Sequence, residues 1–264
     1  DVDTGIYTAR LDPDRIVRAS QGEVIIRHHR YAGVALGNFI TQLTRSLPPR
    51  LEPLPVVPAS WEAPGFPEIG RPMSIARLIG SLNAALTPDM MVVCDVGDCL
   101  FAAVELRVHA RTQFLASAFY TTMGFAVPAA LGAQIAQPNR RALVLVGDGA
   151  FQMTGTELST HCRCGLAPII IVFNNHGYST ERFILDGPFN DIAAWRFDRL
   201  NELFGPLHGF DAPTEDAFEA ALNKAIATRD APSIINVHLD PNDPSPAMRR
   251  LAEHLKSRVG GEKT

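Results

Sequence analysis

Apolar residues in this 264-residue chain follow two rhythms that alternate from Met73 onward. Met90–Cys94, Leu143–Val146 and Ile169–Phe173 are apolar at every position, and Ser233–Leu239 is largely so. Strands buried on both faces have that composition. Elsewhere apolar residues recur at helical spacing. Ile75, Leu78, Ile79 and Leu82 follow a capping Ser74 in a helix through Leu86, and Phe218, Leu222 and Ile226 line one face of Thr214–Thr228. Ala126–Gln137 is a helix rich in small residues, and Gly124 and Gly132 predict a close approach to another backbone or a ligand. Gln113–Ala116 and Leu207–Phe210 predict short strands, and Trp195–Phe204 and Ala247–Lys256 further helices. Between the second and third apolar runs, Thr154 and Glu157 fit a capping box. This alternation predicts an α/β fold, a doubly wound and mostly parallel sheet of six strands.

The first 72 residues have a different pattern. Gly5–Ala9, Ile16–Ala19 and Glu23–His28 predict short strands, and Ala35–Leu47 an amphipathic helix with Leu36, Phe39, Ile40 and Leu43 at helical spacing. So few elements enclose little core, and 1–47 reads as the C-terminal part of a preceding α/β domain. His28 and His29, as neighbours on one strand, point to opposite faces and read as packing or solvent-facing residues. Pro48–Pro72 is dense in proline, which can neither join a ladder nor hold a helix interior, and predicts an extended linker. Residues 73–264 then form the main domain. No internal repeat is evident.

Composition narrows the function classes. The chain is 46% hydrophobic and 20% charged, ordinary for a globular protein. A net charge of −4 without a long basic run argues against a nucleic-acid surface. No apolar segment approaches the ~20 residues that span a bilayer, and the first residues lack the pattern of a secretory signal. Cys94, Cys99, Cys162 and Cys164 are too few and too irregular for a disulfide framework, so they read as reduced thiols in a cytoplasmic protein. His161, Cys162 and Cys164 could suggest zinc, but a Cys-x-Cys without a second pair in an expected helix reads as packing.

The chemistry concentrates at two strand ends. One apolar run ends in Gly147-Asp148-Gly149, the next in Asn174-Asn175-His176-Gly177. Two parallel strands with a crossover between them place both turns side by side at the carboxyl edge, where open α/β sheets bind ligands. A carboxylate, an amide oxygen and a backbone carbonyl suit Mg²⁺ with phosphate oxygens. Asp95–Asp98 and Tyr120–Met123 end neighbouring strands on the same edge. The Gly-Asp-Gly turn lacks both the G-x-G-x-x-G spacing and the Gly-Lys-Ser/Thr of a P-loop.

Asp148 followed by Asn175, 27 positions on, resembles the motif pair of thiamine-diphosphate enzymes. Asn174–Glu181, then Asp186–Ile192 and Trp195, is similar to the 2-oxo acid decarboxylases, including those of pyruvate, indolepyruvate and phenylpyruvate. The similarity covers most of 73–264 and is looser before it. The resemblance implies that Asp148, Asn175 and the Gly177 carbonyl hold Mg²⁺. It places Gly97, Asp98 and the amides of Gly149 and Ala150 around the diphosphate of thiamine diphosphate, with Val96, Thr122, Gly147 and Tyr178 also at the cofactor. Ala150 stands where relatives commonly carry serine, so one hydroxyl contact is absent. Met123 takes the position of the apolar wedge that bends the cofactor, and the Thr121 carbonyl that of the aminopyrimidine acceptor. Glu181 becomes the proton relay that acts before the aldehyde departs. Thr180 and Ile184 match substrate-facing positions. A small residue at 180 implies room for an aromatic or bulky 2-oxo acid such as phenylpyruvate or indole-3-pyruvate rather than pyruvate.

The same resemblance requires a pyrimidine-binding domain, which supplies a glutamate and a histidine pair, and a second subunit, giving a homodimer or homotetramer. Neither the glutamate nor the pair is evident here, and His28-His29 lies in the wrong context. The chain thus resembles the C-terminal portion of a longer polypeptide, one that decarboxylates only with the missing domain. A pyruvate decarboxylase and two further alternatives stand beside this reading. A carboligase like the acetohydroxyacid synthases shares the motif pair but generally lacks a glutamate placed like Glu181. A non-catalytic cofactor-binding or assembly domain would keep the fold alone.

Overall fold

The computed structural model describes residues 12–20, 22–48, 65–110 and 113–259. The predicted strand Gly5–Ala9 and most of the proline-dense stretch lie outside them. The chain forms two compact units, Asp1–Glu62 and Ala63–Thr264.

In the first unit, β1 (Val17–Ser20), β2 (Glu23–Ile26) and β3 (His29–Ala32) form an antiparallel meander, followed by helix α1 (Leu36–Ser46). The sequence does not announce β3. Arg27 adopts a left-handed φ of 54°, which ends β2 two residues before the expected His28. His28 therefore lies in the turn and His29 opens β3, and their exposed rings lie 4.2 Å apart. The apolar stripe of α1 is exposed at Leu36, Ile40 and Leu43.

The second unit contains α2 (Ile75–Ala85), β4 (Met90–Cys94), α3 (Asp98–Ala103), β5 (Phe114–Ala116), α4 (Ala126–Ala136) and β6 (Arg141–Gly147). It continues through α5 (Asp148–Thr154), α6 (Leu158–Arg163), β7 (Ile169–Asn174), α7 (Ser179–Ile184) and α8 (Asn201–Phe204). It ends with β8 (His208–Ala212), α9 (Glu215–Ala227), β9 (Ser233–His238) and α10 (Pro246–Val259). Six strands pair in the order β5-β4-β6-β7-β9-β8, all parallel. The two-residue period of a strand sorts the apolar runs into two cores. Val92, Leu143, Leu145, Ile169 and Ile171 meet α2, α3 and α9 on one face. Met91, Val93, Val144, Val146, Ile170 and Val172 meet α4, α5 and α6 on the other.

Two predicted elements differ. The crossover between β6 and β7 is broken into α5 and α6 by a 3₁₀ turn at Gly155–Glu157. The Phe151 ring lies 2.2 Å from where a Gly155 Cβ would sit, so only glycine lets the chain pass. Thr154 makes no capping box. Its hydroxyl donates instead to the Gly124 carbonyl at 2.7 Å, holding two loops together. In place of one helix over Trp195–Phe204, a 3₁₀ turn (Phe197–Arg199) precedes the short α8. Phe197, 1% exposed and edge-on to Phe151 at 5.4 Å, pins that turn to the core. Gly124 does sit in close approach, with φ 82° and a hypothetical Cβ 2.9 Å from Thr154, whereas Gly132 faces open space.

Chain direction reverses at the sheet centre. From β4 the chain runs outward to the edge strand β5 and returns beyond β4 to β6. The crevice of such a sheet lies at the carboxyl ends of the strands flanking that reversal, here β4 and β6. Cys94 pairs with Leu145, and Gly147 with Phe173, so the strand ends stand nearly level.

Candidate active site

Asp148 opens α5 directly after β6 and is 2% exposed. Its Oδ1 accepts from the Gly149 N–H at 2.7 Å and its Oδ2 from the Gly177 N–H at 3.1 Å. Burial pushes its pKa up to about 6. The amides of Gly149, Gly177, His176 and Asn175 work against burial and do not overcome it. Among the described residues no cationic side chain pairs with it.

Asn175 follows β7 and is 6% exposed. Its Nδ2 donates to Ser179 Oγ, which turns the amide and leaves Oδ1 buried without a partner. An orphaned buried acceptor is costly, so natural structures seldom leave one without a ligand, water or ion. Next to it His176 takes a left-handed φ of 63° and Gly177 a φ of 149°. A Cβ at Gly177 would lie 2.1 Å from the Asn190 carbonyl oxygen. The Gly177 carbonyl accepts from the Ser179 N–H at 3.1 Å and keeps a second lone pair. A buried carboxylate, an orphaned amide oxygen and a carbonyl on adjoining loops are all acceptors. That chemistry fits a hard divalent cation.

The loop after β4 carries Val96 and Gly97, the latter at φ 88°. Thr180 Oγ1, on α7, lies 3.7 Å from where a Gly97 Cβ would be, and is itself buried without a partner. The two loops therefore face each other. The Tyr178 ring sits 2.6 Å from a hypothetical Cβ on Gly149, so the Gly-Asp-Gly turn also touches the Asn-Asn loop. Ala150 is buried at 2%. The Asp98 carboxylate is turned away from this group. It accepts from the Ser245 N–H at 3.2 Å and from its hydroxyl at 2.6 Å, and burial raises its pKa. Its side chain anchors the approach to α10.

One organising residue has no assigned role in the motif reading. Asp95, fully buried, accepts from the Val96 N–H at 2.9 Å, the Gly124 N–H at 3.1 Å and the Ala126 N–H at 2.8 Å. It ties the end of β4 to the Thr121–Met123 loop. The available signal is a carboxylate set against the end of an all-apolar strand, where burial demands partners. Thr121 holds a left-handed φ of 54°, Thr121 and Thr122 are exposed, and Met123 packs against the α4 side of the core.

Glu181 lies in the first turn of α7 and is exposed. Arg182 turns from it to the His176 carbonyl at 2.9 Å and Asp191 at 2.8 Å. The side chain of Ile184 lies outside the described residues. His161 is buried and hydrogen-bonds the Val127 carbonyl at 3.0 Å, so it serves helix packing. Among the described residues no group of three or more His, Cys, Asp or Glu is placed to hold a metal. Nor is any described helix long and apolar enough to cross a membrane.

Residues 95–237, over half of the chain, match the thiamine pyrophosphate enzyme family by its C-terminal TPP binding domain. The chain is 35% identical over 235 residues to an indole-3-pyruvate decarboxylase of Azospirillum brasilense, covering 87% of this chain and 42% of that protein. It is 31% identical over 245 residues to an alpha-keto-acid decarboxylase of Mycolicibacterium paratuberculosis, covering 90% of this chain and 44% of that one. The chain thus spans less than half the length of these relatives. Among solved structures, the thiamine diphosphate-dependent 4-hydroxybenzoylformate decarboxylase of Rhodococcus jostii RHA1 superposes with a TM-score of 0.67 at 26% identity. That match covers 79% of this chain and 41% of that one. Sheet order, turn chemistry and these likenesses agree: the chain belongs to the thiamine pyrophosphate enzymes and carries their C-terminal cofactor-binding domain.

Proposed function

We propose that this chain is the Mg-diphosphate half of a non-oxidative 2-oxo acid decarboxylase, acting on an aromatic or bulky substrate such as indole-3-pyruvate or phenylpyruvate. The observation that carries the reading is the buried Asp148 carboxylate beside the unpartnered Asn175 oxygen. Asp148, Asn175 and the Gly177 carbonyl hold Mg²⁺. The main chain of Val96, Gly97, Asp98, Gly147, Gly149 and Ala150 receives the diphosphate, with Tyr178 alongside. Thr121, Thr122 and Met123 position the aminopyrimidine end. Bound there, thiamine diphosphate would supply an electron-accepting thiazolium for the loss of carbon dioxide.

This chain's own chemistry is then a proton transfer. The Glu181 carboxyl delivers a proton to the carbon that has lost carbon dioxide, and the aldehyde departs. Thr180 and Ile184 border the substrate side chain. The Azospirillum relative's name supports an arylpyruvate, and the small Thr180 agrees with it. A pyrimidine-binding domain and a second subunit complete the site, in a cytoplasmic homodimer or homotetramer.

Positioned general acids contribute about 10²–10⁴-fold. Glu181→Gln in the completed enzyme should lower kcat by that order while thiamine diphosphate still binds calorimetrically. Full activity in that variant removes Glu181 from its role. Absence of any Mg²⁺-dependent cofactor binding by the unmodified protein sinks the whole reading.

A further inference from the structure

Arg182 belongs to no group assigned above, yet its guanidinium lies against the cation loop. Nη2 donates to the His176 carbonyl at 2.9 Å and to Asp191 Oδ1 at 2.8 Å, and Nη1 stands 3.7 Å from Asp186. Nη2 is also 2.6 Å from where a Gly177 Cβ would be, so it fills the space that a side chain at 177 would occupy. The side chain is 18% exposed and its Nε is buried without a partner. Asp191 in turn bridges Gly177 across an antiparallel pair, and the Tyr178 N–H donates to the Asn190 carbonyl at 2.9 Å. Asn190 Nδ2 closes the ring on the Leu185 carbonyl at 2.9 Å, at the far end of α7.

We propose that Arg182 is a positioning residue: with Asp191 it clamps the His176-Gly177 turn against α7, fixing the cation-binding carbonyl and the Glu181 turn in one geometry. The clamp is needed because the turn is unfavourable on its own. A non-glycine residue at φ 63° next to a glycine at φ 149° persists only when its surroundings hold it. Both bonds leave Nη2, whose two N–H directions are fixed by the rigid guanidinium plane, an orientation that a lysine ammonium on a flexible stem does not reproduce. Surface ion pairs contribute little to stability, and Asp191 is 63% exposed, so the pair is kept for geometry and not for folding.

The inference rests on the Mg-diphosphate reading, and its test separates the two. Mn²⁺ in place of Mg²⁺, with thiamine diphosphate present, is followed by the loss of its free-ion electron paramagnetic resonance signal. Arg182→Met and Asp191→Ala should each weaken Mn²⁺ binding about tenfold or more, the range for residues that orient metal ligands. Arg182→Lys should not restore it. The double variant should be no worse than either single one, since both remove the same clamp. Melting temperatures should stay near that of the wild type. If Arg182→Met does not fold, Asp191→Ala carries the test. Wild-type affinity in either folded variant, or additive losses in the double variant, overturns the clamp. Failure of the wild type itself to bind Mn²⁺ overturns the site reading and the clamp with it.

Discussion

As the proposed cation ligand, Asp148 would couple stability to binding. Its folded pKa is raised to about 6 from an ordinary 3.8. A raised carboxyl stabilises the fold below its unfolded pKa, and that contribution is lost as pH rises through the folded value. About two pKa units correspond to something on the order of 3 kcal/mol. In EDTA, the melting temperature should therefore decline between about pH 4 and pH 6. Asp95 and Asp98, also raised by burial, add to that slope. Binding runs the opposite way. The cation needs the ionised carboxylate, so affinity should tighten about tenfold per pH unit up to about pH 6 and then level off. Calorimetric titrations at stepped pH check this, and a flat profile contradicts it. The Asp148 and Asn175 pairing was readable from the chain because acceptors after two apolar runs have few other uses. The role of Asp95 was not, since its partners at Gly124 and Ala126 are 29 and 31 residues away.

Element boundaries followed local pattern only where nothing distant intruded. Helices α2 and α9 occupy nearly the predicted spans because their apolar faces and ends are encoded within the segment. The crossover and the Trp195–Phe204 stretch did not, and both departures trace to Phe151. Its ring presses on Gly155 on one side and on Phe197 on the other. Phe197→Ala should cost about 3–5 kcal/mol by leaving a cavity under the turn. At about 2–4 °C per kcal/mol for a unit of this size, the melting temperature should drop by roughly 10 °C. A drop of a degree or two in calorimetry would mean that this ring does not anchor the turn.

At the scale of the whole molecule, we propose that a pyrimidine-binding domain supplies the groups that complete the chemistry. Purified 1–264 should bind Mg²⁺ and thiamine diphosphate weakly and release no aldehyde from indole-3-pyruvate or phenylpyruvate. Supplying a pyrimidine-binding domain with its glutamate and histidines should restore turnover. Aldehyde release by the chain alone would overturn the division of labour. Glu181 is exposed in the first turn of α7.

Short-range pattern by itself determined the α/β class, the parallel sheet and the two loops that bear oxygen acceptors. Strand burial and turn chemistry are properties of neighbours in sequence, and the sequence contains them. Only the tertiary structure decided that Asp98 serves Ser245, that Thr154 holds Gly124, and that Arg182 holds His176 and Asp191. Each pairs groups whose proximity depends on how the loops at the sheet edge fold over one another. A polar side chain at a loop has several satisfying partners in reach, and nothing in its own residue type selects among them until packing does.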